Sequence, residues 1–170
     1  MAKVRMGMVG GGEGAFIGGI HRMAAAMDGE IELVCGAFSG DPERSARSGA
    51  MLYLEPERVY GDYRQMMSAE AALPADQRMQ FVAIVTPNDL HFPVAEAALG
   101  AGFHVLSDKP ATLSLAQALQ LRERVRDSGL LYGLTHTYTG YPLVKEARER
   151  ISRGELGKIR KVVVEYTQGW

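Results

Sequence analysis

A strand-like run, VRMGMV (4–9), empties into GGGEGA and then into a helical pattern over 15–27. Seven of the fourteen residues from Met6 to Gly19 are glycine. Regular helices and strands do not tolerate that density. The backbone is either a loose linker or is kept bare so that a ligand can rest against it. The rest of the chain favours the second reading, because the strand-then-helix rhythm repeats. IELVCGAF (31–38) reads as a second strand, RVY (58–60) as a weak third, and FVAIV (81–85) as the clearest. FHVLS (103–107) and LLYGLT (130–135) complete six. Asp41 with Pro42 opens one intervening helix, and Asp62 caps another over 62–73. A third spans 91–100 and ends before Gly102. Ser114 with Gln117 opens a fourth, closed by Gly129, whose apolar side carries Leu115, Ala118, Leu119, Leu121 and Val125. Such alternation predicts a six-stranded, doubly wound parallel α/β sheet with helices on both faces.

Within that frame Gly10, Gly12 and Ala15 fit G-x-G-x-x-[GA] between a strand and a helix, the context in which this pattern holds a dinucleotide. Gly10 allows the tight turn, Gly12 lets a pyrophosphate approach the backbone, and Ala15 lets the helix pack close to the sheet. Free N–H groups at the helix start favour the anion. Phe16 and Ile17, next in the chain, join the candidate cofactor contacts. The acidic residue expected after the second strand is missing. Phe38 and Ser39 stand there, and Ser39 with Arg44 can accept a 2′-phosphate. The cofactor is therefore NAD or NADP, with NADP at least tolerated.

Ligands of open α/β sheets sit at the carboxyl ends of the strands. Strand 81–85 ends in TPNDLH, where Thr86 and Asn88 offer polar groups, although Asn88 or Asp89 serves equally as a helix cap. The next strand ends in SDKP. Lys109 there either takes part in proton transfer beside a nicotinamide or is a solvated loop lysine paired to Asp108. His136 and Tyr138, in THTYTGYP, either line the cleft or pack. His21 reads as a helix-packing histidine, and His104 as structural.

Composition narrows the partners. A net charge of −1 over 170 residues gives no excess to attract nucleic acid or an acidic membrane. No apolar run is long enough to span a bilayer, and the first ten residues lack a signal peptide's core. A single cysteine, Cys35, fits a reducing, cytoplasmic compartment. The histidines lack metal-ligand spacing, so no metal is expected.

After Thr135 the rhythm changes. PLVKEARERISRG (142–154) is amphipathic, with Leu143, Ala147 and Ile151 on one face and a solvated, mixed-charge face opposite. KIRKVVVEYTQGW then alternates like a half-buried strand over 158–168, and Trp170 adds apolar surface. With no further sequence to cover it, this strand is expected to pair between chains.

Taken together, the glycine turn with IHRMAA behind it, VAIVTPNDLHFPVAEAALGAGFHVLSDKP and GELGKIRKVVVEY resemble the Gfo/Idh/MocA family (glucose–fructose oxidoreductase, inositol dehydrogenase, rhizopine catabolism). The resemblance implies a Rossmann NAD(P)-binding domain over 1–138. Residues 139–170 would begin a C-terminal α/β domain whose large sheet binds substrate and assembles a homo-oligomer. It implies an NAD(P)-dependent oxidoreductase acting on a sugar- or cyclitol-like CH–OH or C=O group. It carries Lys109 over as catalytic, with Asp108, in place of the commoner glutamate, and Pro110 completing its motif. Thr86, Pro87 and Asn88 carry over as cofactor contacts, with His91 their neighbour. Family members are roughly twice this long, so the chain is expected to be a fragment that binds cofactor without turning over. The alternative is a non-catalytic dinucleotide-binding module or sensor.

Overall fold

The computed structural model describes residues 2–169. Trp170 lies outside the described residues. The chain divides into two compact units, Met1–Thr135 and His136–Trp170. In the first, parallel strands β1 (Val4–Gly10), β2 (Ile31–Ala37), β3 (Phe81–Val85), β4 (His104–Ser107) and β5 (Tyr132–Leu134) form one sheet, ordered β2-β1-β3-β4-β5. Between them run α1 (Phe16–Ala26), α2 (Pro42–Met51), α3 (Tyr63–Ala72), α4 (His91–Gly100) and α5 (Leu115–Ser128).

Five strands form rather than the expected six. RVY is reduced to a single parallel bridge between Val59 and Gly36, with the Tyr60 N–H donating to the Gly36 carbonyl at 2.8 Å. A 3-10 turn from Pro56 to Arg58 leads in and takes Arg58, and Asp62 already caps α3, so only Val59 and Tyr60 of RVY remain for a strand. Counting that bridge, the order matches the doubly wound 3-2-1-4-5-6 pattern, whose switch point falls between β1 and β3.

The sheet is buried on both faces by period-2 alternation. Along β3, Val82 and Ile84 join one cluster with Met66, Val94, Ala98 and Leu121 of α3, α4 and α5. Ala83 and Val85 join the other, with Met6, Met8, Phe38 and Ile17 of α1. Caps set the helix starts: Asp41 accepts the Glu43 and Arg44 N–H groups, Asp62 those of Arg64 and Gln65, and Ser114 that of Gln117. The Gln117 side chain returns to the Leu113 N–H, one residue before the reciprocal position of a capping box. On α5 only Ala118, Leu121 and Val125 turn inward. Leu115 and Leu119, expected on the same side, are exposed. At about 3.6 residues per turn Leu115 and Leu119 lie roughly 120° and 160° round the helix from Leu121, off its buried stripe.

The second unit holds a short turn (Thr137–Gly140) and α6 (Pro142–Ser152), with no buried residue. Its polar face carries the ion pairs Glu146–Arg150 and Glu149–Arg153. The strand expected over 158–168 does not form: these residues carry no regular structure and are exposed. A strand needs a neighbour for its backbone groups, and no described segment of this unit supplies one.

Candidate functional site

The glycine turn leaves β1 with positive φ at Gly10 (81°) and Gly11 (70°), conformations that exclude most side chains. It is braced from outside. Arg22 of α1 donates to the Gly11 carbonyl at 2.8 Å, and Arg44 of α2 donates to that of Glu13. The Ser48 hydroxyl accepts the Glu13 N–H at 3.0 Å. Two glycine roles differ from the sequence reading. The close helix–strand approach is made by Gly18, not Ala15: a Cβ on Gly18 would lie 2.4 Å from the Gly11 Cα. A Cβ on Gly12 would lie 2.6 Å from Ser48 Oγ and 2.9 Å from the Phe38 carbonyl, so its bareness is required by packing.

The turn delivers α1 with an open N-terminus. Ala15 is its N-cap and supplies no side-chain acceptor, so no side chain caps the first-turn N–H groups. The Ala15 cap and the glycine turn before it border a cleft of about 570 Å³ at the sheet's switch point. Gly10, Gly12 and Ala15 form one wall, Phe38, Ser39 and Arg44 the second, and Thr86 and Pro87 the third. The fourth wall, Gly61 to Arg64, was missed in the sequence. It brings the Asp62 cap and an Arg64 guanidinium lying 4.5 Å over the Tyr63 ring. Volume, bare backbone and uncapped N–H groups suit an extended, pyrophosphate-bearing ligand.

Other candidates lie outside the lining. Phe16 is 81% exposed, and Ile17 packs into the core. Asn88 starts an exposed 3-10 turn (Asn88–Leu90), and neither it nor Asp89 caps a helix. His91 is buried, with both ring nitrogens against backbone carbonyls. His136 belongs to the second unit, where its carbonyl accepts from the Thr139 N–H and hydroxyl.

Lys109 follows β4, the strand beside β3. Its side chain is exposed, and among the described residues it enters no ion pair. Its backbone is fixed instead. The Asp108 carboxylate accepts the Lys109 N–H and the Thr135 hydroxyl, each at 2.8 Å, and the Asp108 N–H donates to the Ile84 carbonyl at 2.9 Å. The loop is thus tied to both neighbouring strands while the ammonium stays available. His21 is half-buried. Burial lowers its pKa, opposed in part by the Asp108 carboxylate. Among the described residues no three His, Cys, Asp or Glu side chains gather as a metal site would require.

Sequence reasoning also missed Arg22, Ser48 and Thr135. Ser48 left a trace: Ser45, Ser48 and Gly49 are the buried residues of α2, small and at helical spacing. Arg22 acts on the Gly11 carbonyl and Thr135 on the Asp108 carboxylate and the Ser107 carbonyl, partners that no sequence pattern announces.

Known proteins agree with this geometry. Residues 4–136 match the model of the GFO_IDH_MocA oxidoreductase family, NAD-binding Rossmann fold. The chain is 34% identical over 168 residues to an uncharacterised oxidoreductase, YfiI, of Bacillus subtilis, covering 98% of this chain and 42% of that protein. It is 27% identical over 172 residues to levoglucosan dehydrogenase of Pseudarthrobacter phenanthrenivorans, covering 100% of this chain and 42% of that enzyme. A crystal structure of an inositol dehydrogenase homologue from Azotobacter vinelandii, complexed with NADH and myo-inositol, superposes with a TM-score of 0.89 at 43% identity. That match covers 94% of this chain and 41% of the other. The chain thus spans about two fifths of the length of these relatives.

Proposed function

The chain belongs to the Gfo/Idh/MocA oxidoreductase family with its NAD-binding Rossmann fold, and from that premise we propose that it is the cofactor half of an NAD(P)-dependent oxidoreductase acting on a sugar- or cyclitol-like CH–OH or C=O group. The observation that carries this reading is the uncapped α1 N-terminus beside the bare Gly10–Gly12 turn, opening on a cleft walled by Thr86 and Pro87. The dehydrogenase names among the relatives support the substrate class.

In this reading residues 1–138 hold the dinucleotide. The turn amides take the pyrophosphate, Ser39 and Arg44 face the adenosine ribose, and Thr86, Pro87 and Asn88 border the nicotinamide end. Phe16, Ile17, Asp108 and His136 complete the proposed surroundings. When bound, nicotinamide supplies the hydride acceptor or donor. The Lys109 ammonium binds the substrate oxygen and shares in its proton transfer, held on a loop that Asp108 anchors. Residues 139–170 begin a domain for substrate binding and homo-oligomer assembly, and the protein works in the cytoplasm. The 170-residue chain alone binds cofactor without turning over.

The test is turnover by the intact protein of NAD⁺ or NADP⁺ with a panel of polyols, myo-inositol included. Lys109→Met lowers kcat by at least about 100-fold while cofactor affinity stays within a few-fold. Retained turnover in Lys109→Met would return Lys109 to the role of a solvated loop lysine. Cofactor binding with no turnover on any polyol would favour the sensor reading.

A further inference from the structure

The lysine loop and the cleft wall are joined by one side chain that touches neither solvent nor the cleft. His91, the first residue of α4, is 1% exposed. Its Nδ1 lies 2.6 Å from the Pro110 carbonyl, and its Nε2 lies 3.0 Å from the Thr86 carbonyl. Pro110 directly follows Lys109 in the loop after β4, and Thr86 follows β3 and lines the cleft. Both partners are carbonyl oxygens, so the ring is the donor wherever it bonds. The ring itself is buried, while the carbonyls it meets belong to a half-buried Thr86 and an exposed Pro110. Backbone pairing between the two loops is sparse: beyond the strand ladder, the Asp108 N–H to Ile84 carbonyl bond is the link on the β3 side.

We propose that His91 is a positioning residue: a brace between the Thr86 and Pro110 carbonyls that sets the distance from the cofactor wall to the Lys109 loop. It acts through the backbone, without touching substrate or cofactor. The ring fills the gap with a nitrogen at each edge; a neutral imidazole donates its one N–H to one of the two carbonyls and packs its other edge against the second. The functional weight of this brace rests on the reading of Thr86 and Lys109 as parts of one site.

The test uses the ¹⁵N-labelled 170-residue chain, wild type, His91→Phe and His91→Gln, with two readouts: amide hydrogen exchange and NAD⁺ titration. In the wild type a His91 ring N–H gives a slowly exchanging resonance. In His91→Phe, with β1 and β3 amides protected as before, exchange at Asp108 and Lys109 rises about fivefold or more. NAD⁺ affinity falls several-fold. His91→Gln, which restores one donor, recovers part of both effects. A folded His91→Phe with wild-type exchange at Asp108 and Lys109 would overturn the proposal. So would a wild-type chain with no protected His91 ring proton, which keeps the test decisive if His91→Phe does not fold. Raised exchange in His91→Phe, together with a wild type that fails to bind NAD⁺, would uphold the brace and sink the cofactor reading instead.

Discussion

Two adjacent glycines on α1 should respond to the same substitution with opposite signs. A Cβ on Gly18 would sit 2.4 Å from the Gly11 Cα and 2.5 Å from its carbonyl oxygen, whereas a Cβ on Gly19 would meet nothing within 4 Å. Gly11 cannot yield, because it holds φ of 70° and its carbonyl is bonded to Arg22. Relief to ordinary contact, 3.4 Å, therefore needs α1 to lift by about 1 Å. Overpacking of this kind costs about 1–3 kcal/mol. The clash is with backbone, which places Gly18→Ala toward the upper end, and the gain of about 0.8–1 kcal/mol from replacing a helical glycine offsets part of it. The net loss is about 2 kcal/mol. Gly19→Ala keeps the propensity gain alone, about 0.5–1 kcal/mol. Urea unfolding followed by circular dichroism reads the difference as midpoints moving in opposite directions at unchanged slope. Thermal midpoints should separate by about 5–10 °C for a domain of this size. NAD⁺ binding weakens only in Gly18→Ala, since the lift carries the helix N-terminus away from the turn. Shifts of the same sign, or Gly18→Ala within about 0.5 kcal/mol of wild type, would refute the reasoning.

Glu70 is fully buried and accepts from the Arg58 guanidinium, the Tyr60 hydroxyl at 3.1 Å and the Met79 N–H at 2.9 Å. Glu70→Leu strands all three donors and should cost about 3–5 kcal/mol in urea unfolding; a loss below about 1 kcal/mol would show that the cluster is dispensable. His21 has its pKa lowered by burial, so the folded state resists its protonation. Its contribution is unpenalised above the ordinary histidine pKa of about 6.5 and declines as pH falls through the window below it, where the unfolded chain binds the extra proton. The slope of stability against pH just below 6.5 should flatten in His21→Gln, and an unchanged slope would remove His21 as its source.

The fold class was legible because both-face burial leaves continuous apolar strands and because Asp41, Asp62, Ser114 and Gly129 punctuate the helices. What failed did so where a residue's fate depends on a neighbour. RVY looks like a strand, yet Pro56 and the Asp62 cap leave it two residues. The alternation of 158–168 is real, but alternation only readies a segment for a partner. At the site, Gly10, Gly12, Ala15, Ser39, Arg44 and Thr86 were named from motif and strand-end position and Pro87 through the family resemblance, and all seven line one cleft. Gly18, Arg22 and His91 were missed or given other roles because each meets a backbone atom that the fold, and not a local sequence pattern, brings to it. A sequence carries no record of such partners.

The central claim is that the Gly10–Ala15 turn and the cleft beside it hold a dinucleotide. An NMR titration of the ¹⁵N-labelled 170-residue chain with NAD⁺, repeated with NADP⁺, reads affinity and place together. The account predicts a dissociation constant below the millimolar range for at least one cofactor. NADP⁺ should be disfavoured by no more than about 100-fold (~2.7 kcal/mol). The largest amide shifts should fall at Gly10 to Ala15, Ser39 and Thr86. Binding weaker than millimolar for both cofactors, or tight binding with shifts elsewhere, would contradict it.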